Sequence, residues 1–134
     1  MARSRFAALV AAARRASRRA YCPYSGFRVG AAVLGRSGAI AAGCNVENAS
    51  YGLTICAERS AVAQLVASRG ERDIRAVVIY TPTATPTAPC GGCRQVLNEF
   101  GPNMRVVCVC DGPERIDSSL NALLPSAFGP RNLE

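Results

Sequence analysis

The sequence predicts an α/β layered sandwich. Three observations carry that expectation. Residues 76–80 and 105–110 are short, continuous apolar runs of strand length, as expected for strands covered on both faces. Between and around them lie stretches of helical periodicity closed by Gly or Gly-Pro. Finally, 134 residues with 49% hydrophobic and 19% charged content suit one compact core and exclude a disordered or fibrous chain.

The elements follow in order. Over residues 1–20, Phe6, Leu9, Val10, Ala13, Ser17 and Ala20 share one helical face, while Arg14, Arg15, Arg18 and Arg19 lie opposite. A turn-rich connection, residues 21–26, leads to a strand over 28–34 that stops at Gly35. Ser37-Gly38 turns the chain into a second strand, 39–43, and residues 44–55 read as polar and irregular. A helix over 56–69 turns Ala57, Ala61, Leu65 and Val66 inward and ends at Gly70. After the strand 76–80, the loop 81–88 carries Pro82 and Pro86, and Pro89 opens a helix that runs to about residue 100. Gly101-Pro102 stops it, the strand 105–110 follows, Asp111-Gly112-Pro113 turns the chain, and a last short helix covers 119–124. The whole reads as one domain over residues 1–134.

The formal charge of +7 is local. Six Arg and no acid fall in the first 20 residues, and the remaining chain is almost balanced. A solvated basic face on a core-docked helix accounts for this; a transit peptide and a nucleic-acid or membrane-surface arm compete with it. A nucleic-acid arm would need base-stacking aromatics among its basic residues, and this segment offers only Phe6. No apolar run approaches the ~20 residues that span a bilayer. No nucleic-acid or membrane partner is therefore expected.

The chain has seven Cys and no His. Without His, zinc chemistry must use thiolates and carboxylates. An odd Cys count with no secretory signal favours reduced or metal-bound thiols in the cytoplasm over a disulfide framework. Cys90 and Cys93 form a CxxC at a helix start, where both sulfurs can reach one ion and the helix dipole favours thiolates. A redox pair, or a four-thiolate structural zinc site that adds Cys108 and Cys110, would use the same motif. Cys56 is the candidate third ligand. With Glu58 two residues on, the set supplies three protein ligands, an open position and a free carboxylate, the count a catalytic zinc requires.

Cys56-Ala57-Glu58-Arg59 and Pro89-Cys90-Gly91-Gly92-Cys93-Arg94-Gln95 resemble the two zinc motifs of the cytidine deaminase superfamily. The resemblance extends through residues 27–32, Asn45-Val46-Glu47-Asn48, Leu123-Leu124-Pro125 and Phe128-Gly129-Pro130, and is to the small homotetrameric enzymes acting on free nucleosides. It implies a three-layer α/β/α sandwich with a central mixed sheet of about five strands. It also implies one Zn²⁺ per subunit on Cys56, Cys90 and Cys93, with Glu58 moving protons during hydrolysis of cytidine and 2'-deoxycytidine in pyrimidine salvage. Arg59 would hydrogen-bond ligand sulfurs and offset the charge of three thiolates. Asn45 and Glu47 would hold the ribose, and Phe27 would pack on the pyrimidine. Ala57 would offer its N–H to the base carbonyl, Tyr51 would line the pocket, and Phe128 would complete a neighbouring subunit's site. Deamination of a modified cytosine nucleoside such as blasticidin S is the alternative activity; Asn45, Glu47 and the Phe-Gly-Pro end argue against it. Cys22 stands where Ser is usual in the Tyr-x-Pro-Tyr-Ser turn, and Cys44 reads as a buried apolar residue.

Overall fold

The computed structural model describes residues 1–134. Helix α1 spans Arg3–Ser17, and its apolar stripe places Leu9, Ala12, Ala13 and Ser17 in the interior. It ends at Ser17 rather than residue 20. The Ser17 hydroxyl donates to the Arg14 carbonyl, and the next amides, from Arg18 to Ala20, tighten into bonds three residues back. The basic face is not uniformly solvated. Arg14 lies over the Tyr80 ring at 4.6 Å, donates to the Cys110 carbonyl at 3.2 Å and pairs with Asp111 at 3.5 Å.

Strands β1 (Gly30–Gly35) and β2 (Ile40–Cys44) form an antiparallel hairpin. β1 begins two residues later than the sequence suggests, because residues 27–29 pair with a side chain instead of a strand. The Asn45 amide accepts from the Val29 N–H at 2.9 Å and donates to the Phe27 carbonyl at 2.7 Å. Meanwhile the Arg28 guanidinium caps the carbonyls of Arg18 and Ala20 behind α1.

Helix α2 (Ala57–Arg69) starts after Cys56 and ends at Gly70, whose φ of +64° is the left-handed conformation that closes helices. Strand β3 (Ile74–Tyr80) and strand β4 (Arg105–Val109) are parallel, with helix α3 (Gly91–Phe100) on the connection between them. Pro89 stands one residue outside α3, before its N-cap Cys90. β5 (Ile116–Ser119) has no counterpart among the strands expected from sequence, and the terminal helix α4 is a single turn, Leu120–Leu123. β5 pairs antiparallel with β4, and the sheet order is β2-β1-β3-β4-β5.

The sheet is mixed and five-stranded with helices on both faces, the α/β architecture expected. Alternate side chains of each central strand serve different layers. Ala31, Val33, Val77, Ile79, Val106 and Cys108 pack with Ala57, Ala61, Leu65 and Leu97 of α2 and α3. Ala32, Leu34, Ala76, Val78, Tyr80 and Val107 pack with Leu9 and Ala13 of α1. Fully buried leucines such as Leu9, Leu65 and Leu97 each contribute about 1.5–3 kcal/mol by this burial. Two glycines set how closely the helices approach. A Cβ at Gly30 would run into the Ala13 carbonyl of α1, and one at Gly43 would meet the Ala61 amide of α2.

Candidate active site

Cys56 and Cys90 are the N-cap residues of α2 and α3, and Cys93 lies in the first turn of α3. The sulfurs of Cys56, Cys90 and Cys93 lie within 4.8 Å of one another. Sulfurs bound at 2.3 Å to one tetrahedral ion stand roughly 3.8 Å apart, so this set closes on zinc with small side-chain movements. Three sulfur donors and no imidazole suit a soft-ligand zinc site, and the positive ends of two helix dipoles favour the thiolate form.

The thiols are not equivalent. Desolvation pushes Cys56 up, as it does Cys93, which is fully buried and also faces the Glu58 charge. Desolvation acts the same way on Cys90, but the Cys93 amide and hydrogen bonds from the Cys93 and Cys56 thiols outweigh it and bring Cys90 below the ordinary thiol value. Cys90 is thus the readiest of the three to ionise. Cys108 and Cys110 are outside the cluster. Cys108 belongs to the core beneath the helices, where burial pushes its thiol up to about 12, and the Cys110 thiol donates to the Glu114 carbonyl at 3.4 Å. A four-thiolate site is therefore not formed.

Glu58 is 5% exposed in the first turn of α2, and burial raises its pKa above the usual carboxylate range. It opens onto a cavity of about 330 Å³ that Phe27, Asn45, Glu47, Cys56, Ala57 and Cys90 also line, with Cys93 buried behind. A carboxyl group of raised pKa beside a metal site is suited to take up and release protons. Asn45 holds the backbone of residues 27–29, as described, and Glu47 holds the turn across the cavity. The Glu47 carboxylate accepts from the amides of Tyr24 at 3.0 Å and Ser25 at 3.1 Å, and from the Ser25 hydroxyl. The Ser25 hydroxyl bond, with the two amides, holds Glu47 below the ordinary Glu value.

Three of the residues named from the sequence do not line this cavity. Tyr51 lines an adjoining cavity of about 380 Å³ with Tyr24, their rings 5.8 Å apart and tilted by 60°. Phe128 is 58% exposed beyond α3, away from this chain's own cavity. Arg59 is exposed, and the groups acting on the three thiols are one another and Glu58. One residue past Glu58, it is turned about 100° further around the helix. Conversely, Ser25, Thr54 and Thr81 line the cavity without having been picked out from the sequence. Thr81 is fully buried, and its hydroxyl meets that of Thr83 at 2.7 Å. Arg94, beside Cys93, donates to the carbonyls of Pro89 and Leu123, each at 2.8 Å, and so fixes the peptide that leads into Cys90.

A mixed sheet that carries two helix N-termini to one trio of sulfurs, beside a buried carboxylate and a small, largely apolar cavity with a few polar groups, defines a zinc-dependent hydrolytic enzyme. Residues 4–110 match the family model of the cytidine and deoxycytidylate deaminase zinc-binding region. The chain is 42% identical to the cytidine deaminase of Sporosarcina psychrophila over 93% of its own length and 92% of the relative's. It is 45% identical to a probable cytidine deaminase of Dictyostelium discoideum, covering 91% and 82% of the two chains. A crystal structure of cytidine deaminase from Burkholderia pseudomallei superposes with a TM-score of 0.87 at 44% identity, over 96% of this chain and all of that one. The chain belongs to the cytidine and deoxycytidylate deaminase family. No helix is long and apolar enough to cross a membrane.

Proposed function

We propose that this protein hydrolyses cytidine and 2'-deoxycytidine to uridine and 2'-deoxyuridine with release of ammonia, in pyrimidine salvage. The observation that carries the reading is the convergence of the Cys56, Cys90 and Cys93 sulfurs on one point beside buried Glu58. The three cysteines hold one zinc ion per subunit. When bound, zinc supplies Lewis-acid activation of the attacking water.

Glu58 is the proton carrier in this reading: it would accept a proton from the attacking water, deliver it to N3 of the pyrimidine, and then move the proton of the new C4 hydroxyl to the amine that leaves as ammonia. Its burial supports this role, because desolvation raises the carboxyl above the usual Glu value and makes it a better proton acceptor than an exposed carboxylate. The Ala57 N–H, at the first position of α2, is free of a helical partner and is offered to the base carbonyl. Phe27 packs on the pyrimidine. Asn45 and Glu47 hold the ribose hydroxyls, and the Glu47 charge repels a substrate carrying phosphate. Arg59 is the cation assigned to offsetting the thiolate charge, which requires a rotamer that reaches sulfur.

The working unit in this reading is a homotetramer with sites at subunit interfaces. Tyr24, Phe27 and Tyr51 are exposed where they line the two adjoining cavities, and Leu53 and Ile55, exposed on either side of the lining residue Thr54 in the chain, extend an apolar surface that suits coverage by another copy. Phe128 of a neighbour completes the pocket, and Tyr51 lines it from the rim. Seven free thiols accord with a cytoplasmic location.

The test follows the loss of cytosine absorbance when purified protein meets cytidine, deoxycytidine, CMP or blasticidin S, with and without a zinc chelator. Turnover of the two plain nucleosides, abolished by the chelator, is expected. Preference for CMP or blasticidin S would replace the substrate assignment.

A further inference from the structure

Helix α3 carries Cys90 and Cys93 at its start and grips the C-terminal segment further along. The Gln95 side-chain amide donates to the Phe128 carbonyl at 2.8 Å, and the Asn98 amide reaches the same oxygen at 3.4 Å. Asn98 is almost fully buried, whereas Gln95 lies at the surface. The segment is shaped on both sides of Phe128. Ser126 takes a φ of +53°, a conformation disfavoured for a residue with a side chain, and the Gly129 amide donates to Asn132 at 2.8 Å. The backbone at residue 128 is therefore held in place while its ring is left in solvent. Packing within the chain does not explain an aromatic presented in this way.

We infer that Gln95 is a positioning residue for the reaction, assisted by Asn98: it fixes the Phe128 backbone so that the ring enters the pocket of a neighbouring copy in one orientation. This rests on the proposed placement of Phe128 in a neighbour's site. Gln95 is five residues past Cys90, about 7.5 Å along the axis, so the helix that presents two ligands in one site also sets the aromatic lid of another. The ring closes over bound nucleoside, and its placement acts on substrate binding rather than on proton transfer at Glu58.

The experiment compares Gln95→Leu, Phe128→Ala and the double variant in the zinc-loaded enzyme. Gln95 is exposed, so its replacement by Leu leaves the fold intact. The expected result is a rise in KM for cytidine of about 2–10-fold in Gln95→Leu, the loss of one neutral hydrogen bond, with kcat and zinc content unchanged. Gln95→Arg, which restores an N–H donor, should recover most of the KM. The double variant should be no worse than Phe128→Ala alone, since the anchor matters only through the ring. If Phe128→Ala raises KM while Gln95→Leu leaves it unaltered, or if the two effects add in full, the anchoring role is overturned. If Phe128→Ala itself has no effect on KM, the placement of Phe128 in a neighbour's site fails.

Discussion

Cys56 and Cys90 hold equivalent positions: each is the N-cap of its helix, in extended backbone with ψ near 160°, and the two helices aim their first turns at one point. Neither side chain caps its own helix, so both sulfurs are left for a metal. The N-cap, normally given to Ser, Thr, Asp or Asn, is used here for ligands.

Cys90→Ala removes the most readily ionised of the three sulfurs. The variant should retain near-native circular dichroism, because Cys90 is exposed and outside the core, but lose zinc. Metal analysis that still finds one zinc per chain would remove Cys90 from the ligand set.

Glu58→Gln keeps the shape of a buried side chain and removes its proton chemistry. Zinc content and melting temperature should stay close to wild type, while kcat falls by about 10²–10⁴-fold, the usual contribution of a positioned acid–base group. Steady-state kinetics with unchanged kcat would dismiss the role of Glu58.

The Glu47 carboxylate gives the turn at Tyr24 and Ser25 a pH dependence. Its folded-state pKa is depressed, so its contribution is fully present above the unfolded Glu value and is lost as pH falls through the lower folded value. Wild type should thus exceed Glu47→Gln in stability near neutrality, and the gap should close under acid. Urea unfolding at pH 7 and below pH 4 reads this directly; a gap that widens under acid would contradict it.

Arg14 and Arg15 separate two kinds of basic residue on α1. Arg14→Ala loses a cation–π contact, an ion pair and a bond to the Cys110 carbonyl, and should cost about 1 kcal/mol. Arg15 is exposed, and its replacement by Ala should stay within about 0.5 kcal/mol. Equal effects in thermal unfolding would mean that the Tyr80 and Asp111 contacts contribute nothing.

Much of this architecture can be read in the chain because local chemistry specifies it. Gly70 ends α2, the CxxC begins α3, and the apolar runs of β3 and β4 need no partner to be recognised. β5 escaped for a physical reason. Its Ile116-Asp117-Ser118-Ser119 is a polar edge strand, held partly by the Arg105–Asp117 pair at 2.6 Å, and carries no apolar signature. Helical periodicity alone places Arg14 on a solvated face, because it cannot report that Tyr80 and Asp111 lie beyond it. The sulfurs and Glu58 were legible as motifs, whereas Thr54 and Thr81 reach the cavity only through tertiary packing. Asn45 and Glu47 signalled polar function in the sequence, but their hold on residues 24–29 depends on the chain folding back.

The absence of a side chain at Gly43 reaches further than the hairpin it belongs to. Its α-carbon sits under the Ala61 amide, one turn and a half into the helix that Cys56 begins, and two residues before Asn45. A methyl group there, far along the chain from any of the three cysteines, would run into the Ala61 amide and the Ser60 side chain and press α2 away from the sheet. Residue 43 therefore works as a spacer: the thinness of the backbone there lets α2 sit close to the hairpin, and with it the helix start where Cys56 stands.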